Sequence, residues 1–188
     1  MTASLKIAPV KREDLDVLYQ VFAAASSDRS DSETNGFFLS QYSVEGFWAF
    51  LAERTAYAAW QANALVGYVV IARPTPDQMD PIRWFDEPLR DEGDGRLLWL
   101  KMVAVLPRYK RQGVATALYR HLFQTHAKVD FITGLYEYPL NNRASAALHL
   151  ALGFQRVGII ERETDETDET DERRVTGIFY KPSWKSDK

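Results

Sequence analysis

Pro107-Arg108-Tyr109-Lys110-Arg111-Gln112-Gly113-Val114-Ala115-Thr116 is the stretch whose reading decides the fold of this chain. The apolar run Leu97 to Val105 precedes it and reads as a strand. A helical pattern from Arg111 to about His126 follows, and Phe131 to Tyr138 then reads as a second strand. Strand, helix and strand in that order make a βαβ unit, two parallel strands joined by a right-handed crossover. Small residues at Gly113 and Ala115 let the backbone approach a ligand closely, and the N–H groups of the helix start point outward beside Arg108, Lys110 and Arg111. That is a phosphate site in outline. It is neither the GxxxxGK[ST] of a P-loop nor the GxGxxG of a dinucleotide fingerprint. In isolation, a helix that merely starts basic and contains one glycine would read the same way.

Outward from this unit, the N-terminal side reads as strand Leu5 to Pro9 and a helix from about Glu13, with Leu15, Leu18, Val21, Phe22 and Ala25 on one face. Ser26 to Gly36 is polar and reads as a mobile loop. Ser43 caps a second helix carrying Val44, Phe47, Trp48 and Leu51, and Ala56 to Gln61 and Leu65 to Ile71 form a hairpin across Ala62-Asn63-Ala64. Residues 74–96 hold four prolines but also Ile82, Trp84 and Phe85, so they read as a packed insertion. On the C-terminal side come helix Asn142 to Leu152 and strands Phe154 to Ile160 and Val175 to Lys181. Between those strands the acidic segment 163–174 contains Thr-Asp-Glu three times over, most simply a solvated loop.

Composition narrows the function classes. A chain of 188 residues that is 46% apolar suits an α/β protein of one domain, 1–188. It has no cysteine, which excludes a disulfide, a thiolate zinc site and a cysteine nucleophile. A net charge of −3 argues against gripping nucleic acid by bulk electrostatics. No apolar run approaches the ~20 residues that span a bilayer, and Met1 to Val10 lacks a leader pattern, so the expectation is a cytoplasmic protein with no membrane partner. His121 and His126, five apart, do not share a helix face, and no metal is expected.

The turn 107–116 resembles motif A, [QR]xxGx[GA], of the GCN5-related N-acetyltransferases (GNAT). Asn142-Arg143-Ala144-Ser145-Ala146-Ala147-Leu148-His149-Leu150-Ala151-Leu152-Gly153-Phe154 resembles that family's motif B, NxxAxxxYxxxGF. The resemblance is firm over 97–160 and looser over the N-terminal elements. It implies a single-domain GNAT-like fold: a mixed sheet of about seven strands with a central βαβ unit and a splayed parallel pair. It implies acetyl-CoA as co-substrate, its pyrophosphate on the backbone of Arg111, Gln112, Gly113, Val114, Ala115 and Thr116, and its pantetheine arm on the backbone of Val103 and Val105 and on Asn142. Pro139, which has no N–H to offer, marks where pairing between the parallel strands must stop. Two residues depart from the pattern. Lys110 replaces the usual Gln or Arg, and His149 replaces the usual Tyr.

The reaction that the resemblance implies is transfer of acetyl from acetyl-CoA to a primary amine by direct attack, which needs a neutral amine and a proton for the departing thiolate. Leu97 to Val105 contains no carboxylate. Glu137 stands where acetyltransferases of the ribosomal-protein type carry their glutamate base, acting directly or through one water; the plainer reading is a rim carboxylate. His149 stands at the place of the proton donor. An imidazolium of pKa about 6.5 is a stronger acid than a thiol of about 8.5, but burial beside a helix would favour the neutral ring, and Tyr136 and Tyr138 are alternative acids. On this helix Ala144, Ala147, Leu148 and Ala151 read as the apolar face, with Ser145 and His149 on a neighbouring face toward the cleft. Trp84, Phe37 and Phe38 are candidates to line the acceptor side, and Asp28, Asp31 and Glu33 to meet a cationic amine. The acceptor is a small-molecule amine or a peptide amine, and a homodimer stays open. Two other readings stay open with it: a non-catalytic acyl-CoA-binding sensor on the same fold, and an unrelated α/β protein that binds another phosphate ligand.

Overall fold

The computed structural model of the chain describes residues 4–27, 41–86, 96–162 and 173–183. The chain falls into two compact units, Met1–Ala72 with Leu100–Ala127 and Arg73–Trp99 with Lys128–Lys188. Expectations for Asp28, Asp31, Glu33, Phe37, Phe38 and the Thr-Asp-Glu loop lie outside the described residues.

In the first unit, strand β1 (Lys6–Pro9) leads through a 3-10 turn at Arg12–Asp14 into helix α1 (Leu15–Ser27), which takes in Ser26 and Ser27 from the expected loop. Helix α2 (Val44–Ala52) is capped as expected, with the Ser43 hydroxyl accepting from the Gly46 N–H at 3.1 Å. Strands β2 (Thr55–Gln61) and β3 (Ala64–Ala72) form an antiparallel hairpin. Its turn is only two residues long, Ala62 and Asn63, both with positive φ, the backbone hand that matches the twist of a tight hairpin. Leu18, Val21, Phe22 and Ala25 of α1 and Phe47 and Leu51 of α2 bury against Tyr68, Val70, Met102 and Ala104. Phe22 stacks on Phe47 with centroids 5.1 Å apart, and Phe47 meets Tyr68 edge-on at 6.1 Å.

The second unit holds a core of Ile82, Leu97, Trp99, Ile132, Ile160 and Ile178. The insertion is packed, as its apolar residues suggest: a one-turn helix α3 (Pro76–Met79) precedes a two-residue strand β4 (Arg83–Trp84) that pairs with strand β7 (Gln155–Arg162). Ile82 is buried, but Phe85 is not and leans outward. Strand β4 raises the sheet to eight strands rather than about seven, in the order β1-β2-β3-β5-β6-β8-β7-β4, where β5 is Leu97–Val105, β6 is Asp130–Tyr138 and β8 is Arg174–Lys181.

The expected βαβ unit is present: β5, helix α4 (Val114–Thr125) and β6, with β5 and β6 parallel. Their ladder is three residues long, ending at Trp99 opposite Ile132. Pro139 therefore does not end the pairing, which stops seven residues earlier. From Phe131 to Tyr138 the other edge of strand β6 is paired along β8.

Gly67 on β3 has a steric task. A Cβ there would lie 2.8 Å from the Ala104 carbonyl oxygen, 3.0 Å from Val114 Cγ1 and 3.3 Å from Val105 Cγ2. The missing side chain lets the end of β5 and the start of α4 close on β3. Gly67→Ala should cost about 1–3 kcal/mol, the range for overpacking a filled site, read as a lower urea midpoint with an unchanged slope.

Candidate functional site

In the first unit the turn after β5 is built from unusual backbone. Pro107–Tyr109 is a 3-10 turn, and Arg111 (φ 62°) and Gly113 (φ 81°) both sit in the left-handed region. For Arg111 that conformation costs about 1–2 kcal/mol, a cost glycine does not incur. The Gln112 side chain closes the turn by donating to the Arg108 carbonyl at 2.8 Å. Because the backbone turns left-handed twice, α4 begins at Val114 rather than at Arg111, with Gly113 as its N-cap. The helical ladder starts with the Ala117 N–H on the Gly113 carbonyl at 2.9 Å, so the N–H groups of Val114, Ala115 and Thr116 come before its first donor.

Among the described residues, none apart from the glycine's own chain neighbours lies within 4 Å of where a Gly113 Cβ would be. Glycine is required there by the backbone angle, and the space above it is open. A groove of about 470 Å³ runs beside the turn, with Leu5 and Ile7 on one side and Gly113, Thr116, Arg120 and His121 on the other. Val103 and Val105 are half-buried on β5, Lys110 is half-buried, and Arg111 and Gln112 are exposed. At the far end of α4 the Tyr57 hydroxyl lies 3.2 Å from His126 Nε2, and the Tyr57 ring lies edge-on to His121 at 5.1 Å. Among the described residues no group of three or more potential ligands is placed to hold a metal, and no described helix is long and apolar enough to cross a membrane.

In the second unit, Asn142 is the N-cap of helix α5 (Arg143–Ala151). Its side-chain oxygen accepts from the Ser145 N–H at 3.2 Å, and its own N–H donates to the Tyr136 carbonyl at 3.0 Å, which ties the helix start to the end of β6. His149 is 1% exposed. Its Nδ1 lies 2.7 Å from the Ser145 carbonyl oxygen, so Nδ1 carries the hydrogen and donates it, and its ring packs edge-on to Phe154 at 4.9 Å. Burial lowers its pKa to about 4, against the opposing pull of the Ser145 bond. The expected apolar face is only partly covered: Ala147 and Ala151 are exposed, Ala144 and Leu148 are half-buried, and His149 is the residue that the helix buries. Alanine has too little side chain to direct a nine-residue helix, whereas an imidazole with one satisfied N–H can be buried against an aromatic.

Glu137 sits at an irregularity of β6, where the register with β8 shifts between Tyr136 and Tyr138. Its carboxylate accepts two hydrogen bonds from Arg156 of β7, Nε to Oε1 and Nη2 to Oε2, each 2.7 Å long. That bidentate bond raises the pKa of Arg156 further. The guanidinium also lies over the Phe85 ring, 4.8 Å from its centroid. A Cβ on Gly177 of β8 would lie 2.2 Å from Glu137 Oε1.

A family model described as Acetyltransferase (GNAT) family matches residues 19–154. The chain belongs to the GNAT acetyltransferase family. No curated protein matches the sequence. Among solved structures, the ribosomal-protein-S18-alanine N-acetyltransferase of Escherichia coli superposes with a TM-score of 0.65 at 19% identity, covering 98% of this chain and 97% of that one. The Brucella melitensis ribosomal-protein-alanine N-acetyltransferase gives 0.65 at 18% identity, covering 94% and 99%. Arabidopsis thaliana NAA60 in complex with a bisubstrate analogue gives 0.63 at 16%, covering 96% and 98%. At these identities the likeness is one of fold.

Within this GNAT chain, the sequence reading singles out neither Arg156 nor Gly177, and it names Phe85 only as part of a packed insertion. The motifs stop at Phe154, and nothing short of the β6-β8-β7 register shows that residues 19 and 40 positions from Glu137 in the chain meet its carboxylate.

The histidine has a measurable signature. Its pKa in the fold is below the unfolded value of about 6.5, so the unfolded chain binds the proton first. The stabilising effect of a neutral His149 is complete above pH 6.5 and is lost as pH falls toward 4. The loss should reach about 3 kcal/mol by pH 4. Denaturant titrations from pH 7 to pH 4 should show this component in the wild type and lack it in His149→Leu.

Proposed function

We propose that the protein is an N-acetyltransferase that moves the acetyl group of acetyl-CoA to a primary amine. The observation that carries this is the turn at Lys110 to Thr116 in a chain of the GNAT family: two left-handed residues, adjacent cations, three leading N–H groups of α4 and open space over Gly113. Backbone N–H groups at a helix start suit a pyrophosphate. On this reading the N–H groups of Arg111 to Thr116 hold the pyrophosphate, with the Lys110 side chain beside it. The backbone of Val103 and Val105, with Asn142, holds the pantetheine arm. The Asn142 side-chain oxygen is engaged as a helix cap.

The amine nitrogen attacks the thioester carbonyl, the C–S bond breaks, and Glu137 takes the nitrogen's proton directly or through one water. The clamp by Arg156 uses one lone pair on each carboxylate oxygen, and each oxygen has another. His149 serves by packing. Neutral, with its Nδ1 hydrogen committed to Ser145, it has no proton to give a thiolate near neutral pH. Tyr138, half-exposed at the end of β6, is the better-placed acid. The acceptor is a small-molecule or peptide amine, and the reaction belongs to the cytoplasm.

A thiol-release assay with acetyl-CoA over a panel of amines and peptide N-termini should show turnover. Binding without turnover over the whole panel would favour an acyl-CoA sensor instead. Gly113→Asn separates strain from blockage, because asparagine tolerates the left-handed angle while filling the space. Titration calorimetry should show at least about a tenfold loss of acetyl-CoA affinity, near 1.4 kcal/mol, with only a small fall in melting temperature. Unaltered affinity would move the site elsewhere. Glu137→Gln should lower kcat by about two orders of magnitude and spare the KM for acetyl-CoA.

A further inference from the structure

Strand β8 runs between β6 and β7, so Glu137 and Arg156 stand on two strands that do not touch each other. Both lie at interruptions of the ladder: the β6–β8 register shifts at Glu137, and the β7–β8 register shifts between Arg156 and Gly158. Neighbouring strands are about 4.8 Å apart, so the two backbones are separated by about twice that, and the side chains must reach over β8 to meet. They do so above Gly177, where any side chain would collide with the carboxylate. On the opposite face of β8, Ile178 enters the core.

The far side of the guanidinium is also held. Phe85, 48% exposed just after β4, lies against Arg156, and its N–H donates to the Val157 carbonyl at 3.0 Å, which fixes the ring's backbone to β7. Three residues from three segments therefore set one carboxylate in one orientation: a seat at Gly177, a two-bond clamp at Arg156 and a platform at Phe85. A surface ion pair does not need this apparatus, and a single exposed pair contributes little to stability. A group that has to receive a proton at a defined point does need it, because a displacement of about 1 Å at a reacting centre can cost 10²-fold in rate.

We infer that Arg156 is a positioning residue for the transfer reaction, holding the Glu137 carboxylate over Gly177 with its outer lone pairs turned toward the acceptor's amine. This rests on the reading of Glu137 as the proton acceptor. Phe85 makes the insertion part of the same device, since it backs the guanidinium that does the holding.

The test is a kinetic double-mutant cycle in the thiol-release assay, with folding checked by thermal melting. Arg156→Gln should lower kcat by about one to two orders of magnitude with an unchanged KM for acetyl-CoA. Arg156→Lys, which replaces two directed bonds by one point charge, should fall between it and the wild type. The double variant Glu137→Gln with Arg156→Gln should be no slower than Glu137→Gln alone, because a positioning residue has nothing left to position. If Arg156→Gln does not fold, Arg156→Lys carries the test, and wild-type kcat in that variant overturns the inference. An impaired Glu137→Gln beside a fully active Arg156→Gln overturns it and leaves the proposed function standing. Multiplying losses in the double variant also overturn it, by giving Arg156 an effect of its own. A fully active Glu137→Gln removes the reading of Glu137 on which the inference rests.

Discussion

A missing side chain at Gly67 is the constraint on which the first unit depends. With a Cβ 2.8 Å from the Ala104 carbonyl, β5 and β3 could not both keep their ladder while Val114 stayed in contact with them. The start of α4 would have to lift away, and the start of α4 is where the Val114 to Thr116 N–H groups are aimed. The second unit repeats the device with a different outcome. At Gly177 the vacancy admits a charged side chain from the neighbouring strand rather than a backbone. In both units, a position that contributes no contact of its own decides where chemically active groups can stand.

Strain and vacancy divide the work at the turn itself. Gly67 and Gly177 are glycines because of crowding and Gly113 because of its angle, and the two requirements have different consequences for a ligand. A glycine demanded by crowding has its space already filled by the protein. A glycine demanded by φ, with nothing within 4 Å, leaves space that something else can take. Arg111 adopts a similar angle without glycine's freedom, and such strain is kept where the surroundings enforce it. Here the 3-10 turn before it and the cap after it are the enforcing neighbours.

Most of the fold was legible because the elements that define it announce themselves locally. The stripe of α1, the Ser43 cap and the unbroken run of β5 are patterns within a dozen residues, and each stands within a few positions of where it was read. What could not be read was long-range or weakly encoded. Strand β4 is two residues long and exists only because β7 offers an edge. The Glu137, Arg156 and Gly177 cluster depends on two register shifts that no single strand reveals. The orientation of α5 failed for another reason. Its expected apolar face is mostly alanine and stays half-buried or exposed, while the fully buried side chain is an imidazole with a hydrogen-bond partner and an aromatic neighbour. The candidate site was therefore legible as positions in two motifs, but not as environments.

Those environments change how the protons of an acyl transfer can be distributed. The family resemblance implies a proton acceptor at 137 and a proton donor at 149, yet burial holds the second neutral and its one N–H hydrogen is given to a carbonyl four residues back. For His149 to act as an acid it would have to gain a proton in a setting that disfavours the cation, then pass it on from a ring 1% exposed. Glu137 faces the opposite problem. It stays partly open to solvent, with a quarter of its side chain exposed, but its clamp limits motion rather than access. A carboxylate fixed by a bidentate partner need not reorganise as an ammonium approaches, and avoiding that reorganisation is what preorganised electrostatics contributes to catalysis. On the proposed reading, histidine in place of the family's usual tyrosine shifts the burden of proton handling toward the strand end at Glu137 and Tyr138. Helix α5 is left to fix the geometry of Asn142, whose side chain caps it and whose N–H is tied to the Tyr136 carbonyl.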